Sequence, residues 1–160
     1  MSPKHFVEWS DELSVGIEEI DAQHKMLVSL VNRLYEETII HKATLQTLEE
    51  ILNELVEYTI IHFAVEESLF RIFDFPASEI HTRHHNELKA QVLELQKKVR
   101  QGEATVNVEL LVFLKNWLQH HILEEDKSYG PFLIQQGVKS KSPKSTSWFS
   151  RLWHKEPKHK

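Results

Sequence analysis

The chain contains no cysteine. That removes disulfides, thiolate metal sites and a cysteine nucleophile together, and it fits a reducing compartment. Glycine and proline are almost as scarce, four and five in 160 residues. Turns must therefore be few and the segments between them long. No apolar run approaches the roughly 20 residues that a membrane-spanning helix needs. The opening MSPKHFVEWSDEL is too polar for a secretory signal. A soluble, cytoplasmic protein with one domain-sized core is the expectation.

Basic charge is also short over most of the chain. The formal net charge of −5 combines two unlike parts. Residues 138–160 hold seven lysines and arginines against one acid, Glu156, for +6, and the remaining twelve cations face 23 acids, for −11. An acidic body argues against nucleic acid as a partner. What the chain does have is histidine, eleven in all.

The apolar pattern has a helical period throughout. His24, Leu27, Val31, Leu34 and Thr38 form one stripe, and Leu48, Leu52, Leu55, Thr59, His62, Glu66 and Leu69 a second. After the FDFP turn, with Pro76 near a helix start, His81, His85, Leu88, Val92, Leu95 and Val99 form a third. Leu111, Leu114, Leu118 and His121 form the fourth, which Gly130-Pro131 is expected to stop. No strand pattern is evident. The fold class expected is all-α, an up-down-up-down four-helix bundle. An N-terminal arm before residue 18, with Trp9 and Val15, would pack along its outside. The bundle domain would cover residues 1–137 and a flexible basic tail 138–160.

Every one of the four inward stripes carries histidine. Burying an imidazole or a carboxylate is costly unless it is hydrogen-bonded, paired or bound to metal. A lone core histidine is usually satisfied by a backbone carbonyl, and a single H-x-x-x-E or H-x-x-x-H on a surface helix means little. Here the register collects His24, His62, Glu66, His81, His85 and His121. The pairs His62/Glu66 and His81/His85 are spaced i, i+4, so each pair shares a helix face and can converge on one ion. The same register leaves out His84 and His120, one position off their stripes, as well as His41 and the terminal His5, His154 and His159. Asp126 stands five residues beyond His121, about 140° further round a regular helix. It reaches the same centre only if the turn over 122–126 loosens, as a π-type bulge or a helix end. Spacing alone does not choose it over Glu124 and Glu125.

These residues resemble the hemerythrin family, most closely its single-domain bacterial members. The elements that carry the resemblance are D-A-Q-H (21–24), H-F-A-V-E (62–66), L-F-R-I-F-D-F-P (69–76), H-T-R-H-H (81–85) and W-L-Q-H-H-I-L-E-E-D (117–126). It covers roughly residues 6–133. It implies a non-haem di-iron cofactor, oxo- or hydroxo-bridged. His81, His85 and His121 would hold one iron, and His24 and His62 the other. Glu66 and Asp126 would bridge the two, so the resemblance selects Asp126 where spacing did not.

One iron would keep an open position. The function implied is reversible O2 binding for carriage, storage or delivery, with O2 held end-on at the hydroperoxide level on the five-coordinate iron. Imidazole and carboxylate donors suit iron, and an open position implies reactivity. Leu27, Phe63, Trp117, Leu118 and Ile122 stand where the family's O2 pocket lies, although each serves equally as bundle core. The alternatives are a di-iron enzyme (a peroxidase or a nitric-oxide-handling protein) and an oxygen or redox sensor. No base, nucleophile or phosphate loop outside the metal set points to an unrelated enzyme, so a binding protein, monomeric, is the expectation.

In the tail, Trp148, Phe149, Leu152 and Trp153 would share one face of a short helix, with Arg151 and Lys155 outside it. Such a segment, 145–155, suits an anionic membrane surface or a partner's groove, and equally a solvated tail. Liposome co-sedimentation of the full chain against residues 1–137 separates these readings, and equal partitioning removes the membrane.

Overall fold

The first stripe becomes α1, Glu18–Tyr35, with Glu18, Glu19 and Asp21 in the first turn, where the helix dipole favours acids. A π-helical turn, Glu36–Ile40, continues it, and Lys42 with φ +50° reverses the chain. Thr44 caps α2, Leu45–Ile72, its hydroxyl accepting from the Thr47 amide at 3.3 Å. Asp74, at φ +53°, makes the sharp FDFP turn into α3, Ser78–Arg100. Asn107 then caps α4, Val108–His120, accepting from the Leu110 amide at 3.0 Å. A short α5, Gly130–Gln135, follows. The computed structural model describes residues 5–122 and 128–138. The tail beyond 138, including segment 145–155, lies outside the described residues, and so does Asp126.

Cross-helix contacts give the up-down-up-down order. Along α1 and α2, His24 Nε2 lies 3.1 Å from His62 Nε2, while Arg33 meets Glu54 at 3.1 Å. One partner advances as the other recedes, so the two helices are antiparallel. Along α2 and α3, Glu67 meets His85 at 2.8 Å and Asn53 meets Gln96 at 2.8 Å, in the same antiparallel sense. The Trp117 indole N–H donates to the Leu88 carbonyl at 3.3 Å and ties α4 to α3. No helix among the described residues is long and apolar enough to cross a membrane.

The stripes face inward as expected, from Leu27, Val31 and Leu34 through Leu111, Leu114 and Leu118. Two expectations fail at helix ends. In the last turn of α2, Phe70 rather than Leu69 is fully buried, because the bundle's partners change there. And Gly130-Pro131 opens a helix instead of only stopping one, proline being tolerated in a first turn where its missing N–H is not needed. Gly130 is required by packing: a Cβ there would lie 2.1 Å from the Val15 carbonyl oxygen. Around it Val15, Ile17, Ile20, Phe70, Phe75, Tyr129 and Leu133 form a second apolar cluster that caps one end of the bundle. The N-terminal arm is anchored more deeply than an outside strap. Val7 is buried, and its amide and carbonyl both bond to the Asn32 side chain, at 2.7 and 2.9 Å.

Candidate metal centre

The polar residues of the stripes meet near that cap. His24 from α1, His62 and Glu66 from α2, and His121 from the end of α4 each offer a ligand atom, all within 4.8 Å of one another and all fully buried. His62 Nε2 lies 3.1 Å from His24 Nε2 and 3.4 Å from His121 Nε2. Glu66 Oε2 lies 3.3 Å from His62 Nε2 and 3.9 Å from His24 Nε2. The other oxygen, Oε1, is 3.0 Å from His85 Nε2 and 3.7 Å from His121 Nε2. His81 is one turn before His85 and buried, with ring centroids 5.2 Å apart; the four-residue group found among the described residues does not include it. His121 and Ile122 are in a π-helical turn, the kind of loosening that a ligand further along this segment requires.

Residues one step from the ligands set their tautomers. The Gln23 carbonyl oxygen accepts from His62 Nδ1 at 2.6 Å, so the lone pair of His62 is at Nε2, facing the centre. Glu67 Oε2 accepts from His85 Nδ1 at 2.8 Å and directs His85 Nε2 toward Glu66. The Tyr129 hydroxyl, fully buried, donates to Glu66 Oε2. Its ring packs edge-on against Phe70 at 5.1 Å and His81 at 5.6 Å. None of these three was picked out from the sequence. Gln23 and Glu67 adjoin ligands but lie off the stripes. Tyr129 belongs to no periodic segment.

Burial fixes the protonation states. It pushes His24 down to about 3, against the pull of Glu66 and with help from His121. It pushes His62 down to about 3 and His81 to about 4, again against Glu66. His121 is lowered well below the ordinary value for the same reason. These imidazoles are neutral near pH 7, with lone pairs to offer. Burial also works on His85, but the carboxylates of Glu66 and Glu67 outweigh it and raise its pKa. Burial would raise Glu66, yet the surrounding His62, His85 and His121 hold it well below the usual carboxylate range. Glu66 is therefore an anion among nitrogen donors.

This arrangement fits a bound cation. His62 Nε2 stands 3.1 and 3.4 Å from the Nε2 atoms of His24 and His121, ring nitrogens close enough to share one ion. Glu66 Oε1 faces His85 Nε2 at 3.0 Å and His121 Nε2 at 3.7 Å, an oxygen and two ring nitrogens of the kind a divalent metal takes. The residues expected to line a pocket are in the core. Leu27, Phe63, Leu118 and Ile122 are fully buried and Trp117 nearly so. Phe63 stacks on His85 at 4.0 Å and lies 4.7 Å from His121.

A family model for the hemerythrin HHE cation binding domain matches residues 15–133. The chain belongs to the hemerythrin family. It is 34% identical to a bacteriohemerythrin of Pseudomonas aeruginosa over 148 residues, covering 89% of this chain and 92% of that one. It is also 34% identical to a bacteriohemerythrin of Stenotrophomonas maltophilia over 122 residues, 76% of this chain and 77% of that one. The crystal structure of a wild-type hemerythrin superposes with a TM-score of 0.75 at 30% identity, covering 80% of this chain and 98% of the other. Hemerythrin membership and the buried histidine–glutamate cluster together point to iron.

Proposed function

We propose that this hemerythrin-family chain binds O2 reversibly, for carriage, storage or delivery, and is not an enzyme. Two irons would be held by His24, His62, Glu66, His81, His85, His121 and Asp126. The observation that carries this reading is the convergence of His24, His62, His121 and Glu66, fully buried, with His85 3.0 Å from Glu66. The relatives' name, bacteriohemerythrin, supports it. When bound, such a centre supplies one electron from each iron and an open coordination position for a small ligand.

The chain's own residues do the rest. Gln23 and Glu67 fix two imidazoles with Nε2 inward, so that the donor set is shaped before metal arrives. Low pKa values keep His24 and His62 from being protonated in competition with metal. Leu27, Phe63, Trp117, Leu118 and Ile122 keep water from the ligand, which would otherwise promote loss of reduced oxygen.

The test is to load the full chain with iron, reduce it without air, expose it to O2 and then remove the O2. A visible absorption that appears and reverses, with two irons per chain, is the expected result. Irreversible oxidation with substrate turnover would instead make the protein a di-iron enzyme, and iron far below two per chain would remove the site.

A further inference from the structure

Thr59 is 0 % exposed on the inward face of α2, and its hydroxyl has no hydrogen-bond partner. A helical threonine commonly bonds back to the carbonyl four residues earlier, and Thr59 does not. Valine would fill the same shape without burying an unsatisfied polar atom. Folding alone therefore gives no reason for the hydroxyl.

Its place supplies one. Thr59 is one helical turn from His62, on the same face. The equivalent step along α1 leads from His24 to Leu27, and along α4 from His121 to Leu118. Both are fully buried leucines of the main core cluster. His24, His62 and His121 sit side by side, at 3.1 and 3.4 Å. Moving one turn along each helix therefore puts Leu27, Thr59 and Leu118 in the adjacent layer. A small molecule held at the His24/His62 side of the site would meet this layer first. Two of its three side chains are apolar, and the third carries an uncommitted O–H.

We infer that Thr59 is the hydrogen-bond donor to the small ligand of this site, favouring ligands whose outer atom is electron-rich over those without an acceptor. The inference rests on the proposed di-iron reading. It makes Thr59 a specificity-determining residue in an otherwise dry pocket. A small electron-rich ligand, azide for example, would accept a hydrogen bond from the hydroxyl, the proton staying on Thr59.

Thr59→Val and Thr59→Ser in the full chain test this. Metal-free Thr59→Val should melt higher than the wild type, since a buried unsatisfied hydroxyl is gone. Iron-loaded and oxidised, it should keep its iron content but bind azide roughly tenfold more weakly, the effect of losing one hydrogen bond. The infrared stretch of bound azide should shift, and Thr59→Ser should restore both properties. Unchanged azide affinity and stretch in Thr59→Val would overturn the inference, as would a lower melting point of its metal-free form, which would assign the hydroxyl to the fold. If the wild type takes up iron but oxidises irreversibly in O2, the carrier reading fails alone and the azide series still decides the role of Thr59. Failure of the wild type to take up iron would sink both.

Discussion

Acid should unfold the metal-free protein unusually early, and His24 and His62 set the scale. Both ordinarily titrate at 6.5 and are pushed down to about 3 by burial. As pH falls below about 7, the unfolded chain takes up protons that the folded chain refuses, so stability falls with pH through that window, down to about 3. From pH 7.5 to 5.5 this costs roughly 1–2 kcal/mol for each histidine and about 3 kcal/mol together. His81 and His121, lowered for the same reason, act in the same direction. His85 acts in the other: its raised pKa gives stability that is fully present below 6.5 and lost as pH rises through the folded value. Glu66, held low, contributes stability that disappears only below about pH 4.5, outside this range.

The loss of about 3 kcal/mol from His24 and His62 is a large share of the 5–15 kcal/mol typical of a domain. With a urea slope of about 2 kcal/mol per molar, the unfolding midpoint of the chelator-treated protein should drop by about 1–2 M between pH 7.5 and 5.5. The measurement is urea titration followed by far-ultraviolet circular dichroism at several pH values. His24→Leu should remove its own share of the dependence, roughly 1–2 kcal/mol. A midpoint that stays constant or rises on acidification would show that these imidazoles are not buried and neutral.

Three further outcomes follow from the packing. Tyr129→Phe removes a charge-assisted hydrogen bond to a buried carboxylate and should destabilise the metal-free protein by roughly 1.5–3 kcal/mol; chelator competition should show iron held less tightly, and unchanged melting and retention would refute the contact. Gly130→Ala puts a methyl 2.1 Å from the Val15 carbonyl oxygen and should cost about 1–3 kcal/mol in a thermal melt, the usual penalty of overpacking. Leu118→Asn or Ile122→Asn, at fully buried positions beside the histidines, should speed autoxidation of the oxygenated form severalfold in an optical decay assay, and an unchanged rate would remove the drying role of that wall.

The buried polar positions were legible because two simple patterns conflict there. Helical periodicity puts His24, His62, Glu66, His81, His85 and His121 on faces otherwise made of leucine and valine, where an unpaired polar group is too costly to keep. All six are buried in the fold, and four form a tight group. Periodicity has no such force at chain ends and turns. Leu69 and Phe70 are both apolar, and the choice between them falls to Val15, Ile17 and Tyr129, which come from distant stretches of the chain. Gln23 and Glu67 were hidden for a related reason. Each is defined by the imidazole it reaches on a neighbouring helix, 2.6 and 2.8 Å away, and a single helix's pattern does not encode that.

The least legible feature is also the one that joins fold to chemistry. Gly130 has no Cβ, so α5 can lie against Val15 of the N-terminal arm, and Val15 in turn packs with Phe70 and Tyr129. That packing places the Tyr129 hydroxyl on Glu66, the one acid among the described residues of the cluster. Arm, cap and carboxylate thus form one connected unit. Damage at Gly130, far from any ligand in pattern, should therefore reach the metal through Tyr129, and iron retention should fall in Gly130→Ala as it does in Tyr129→Phe.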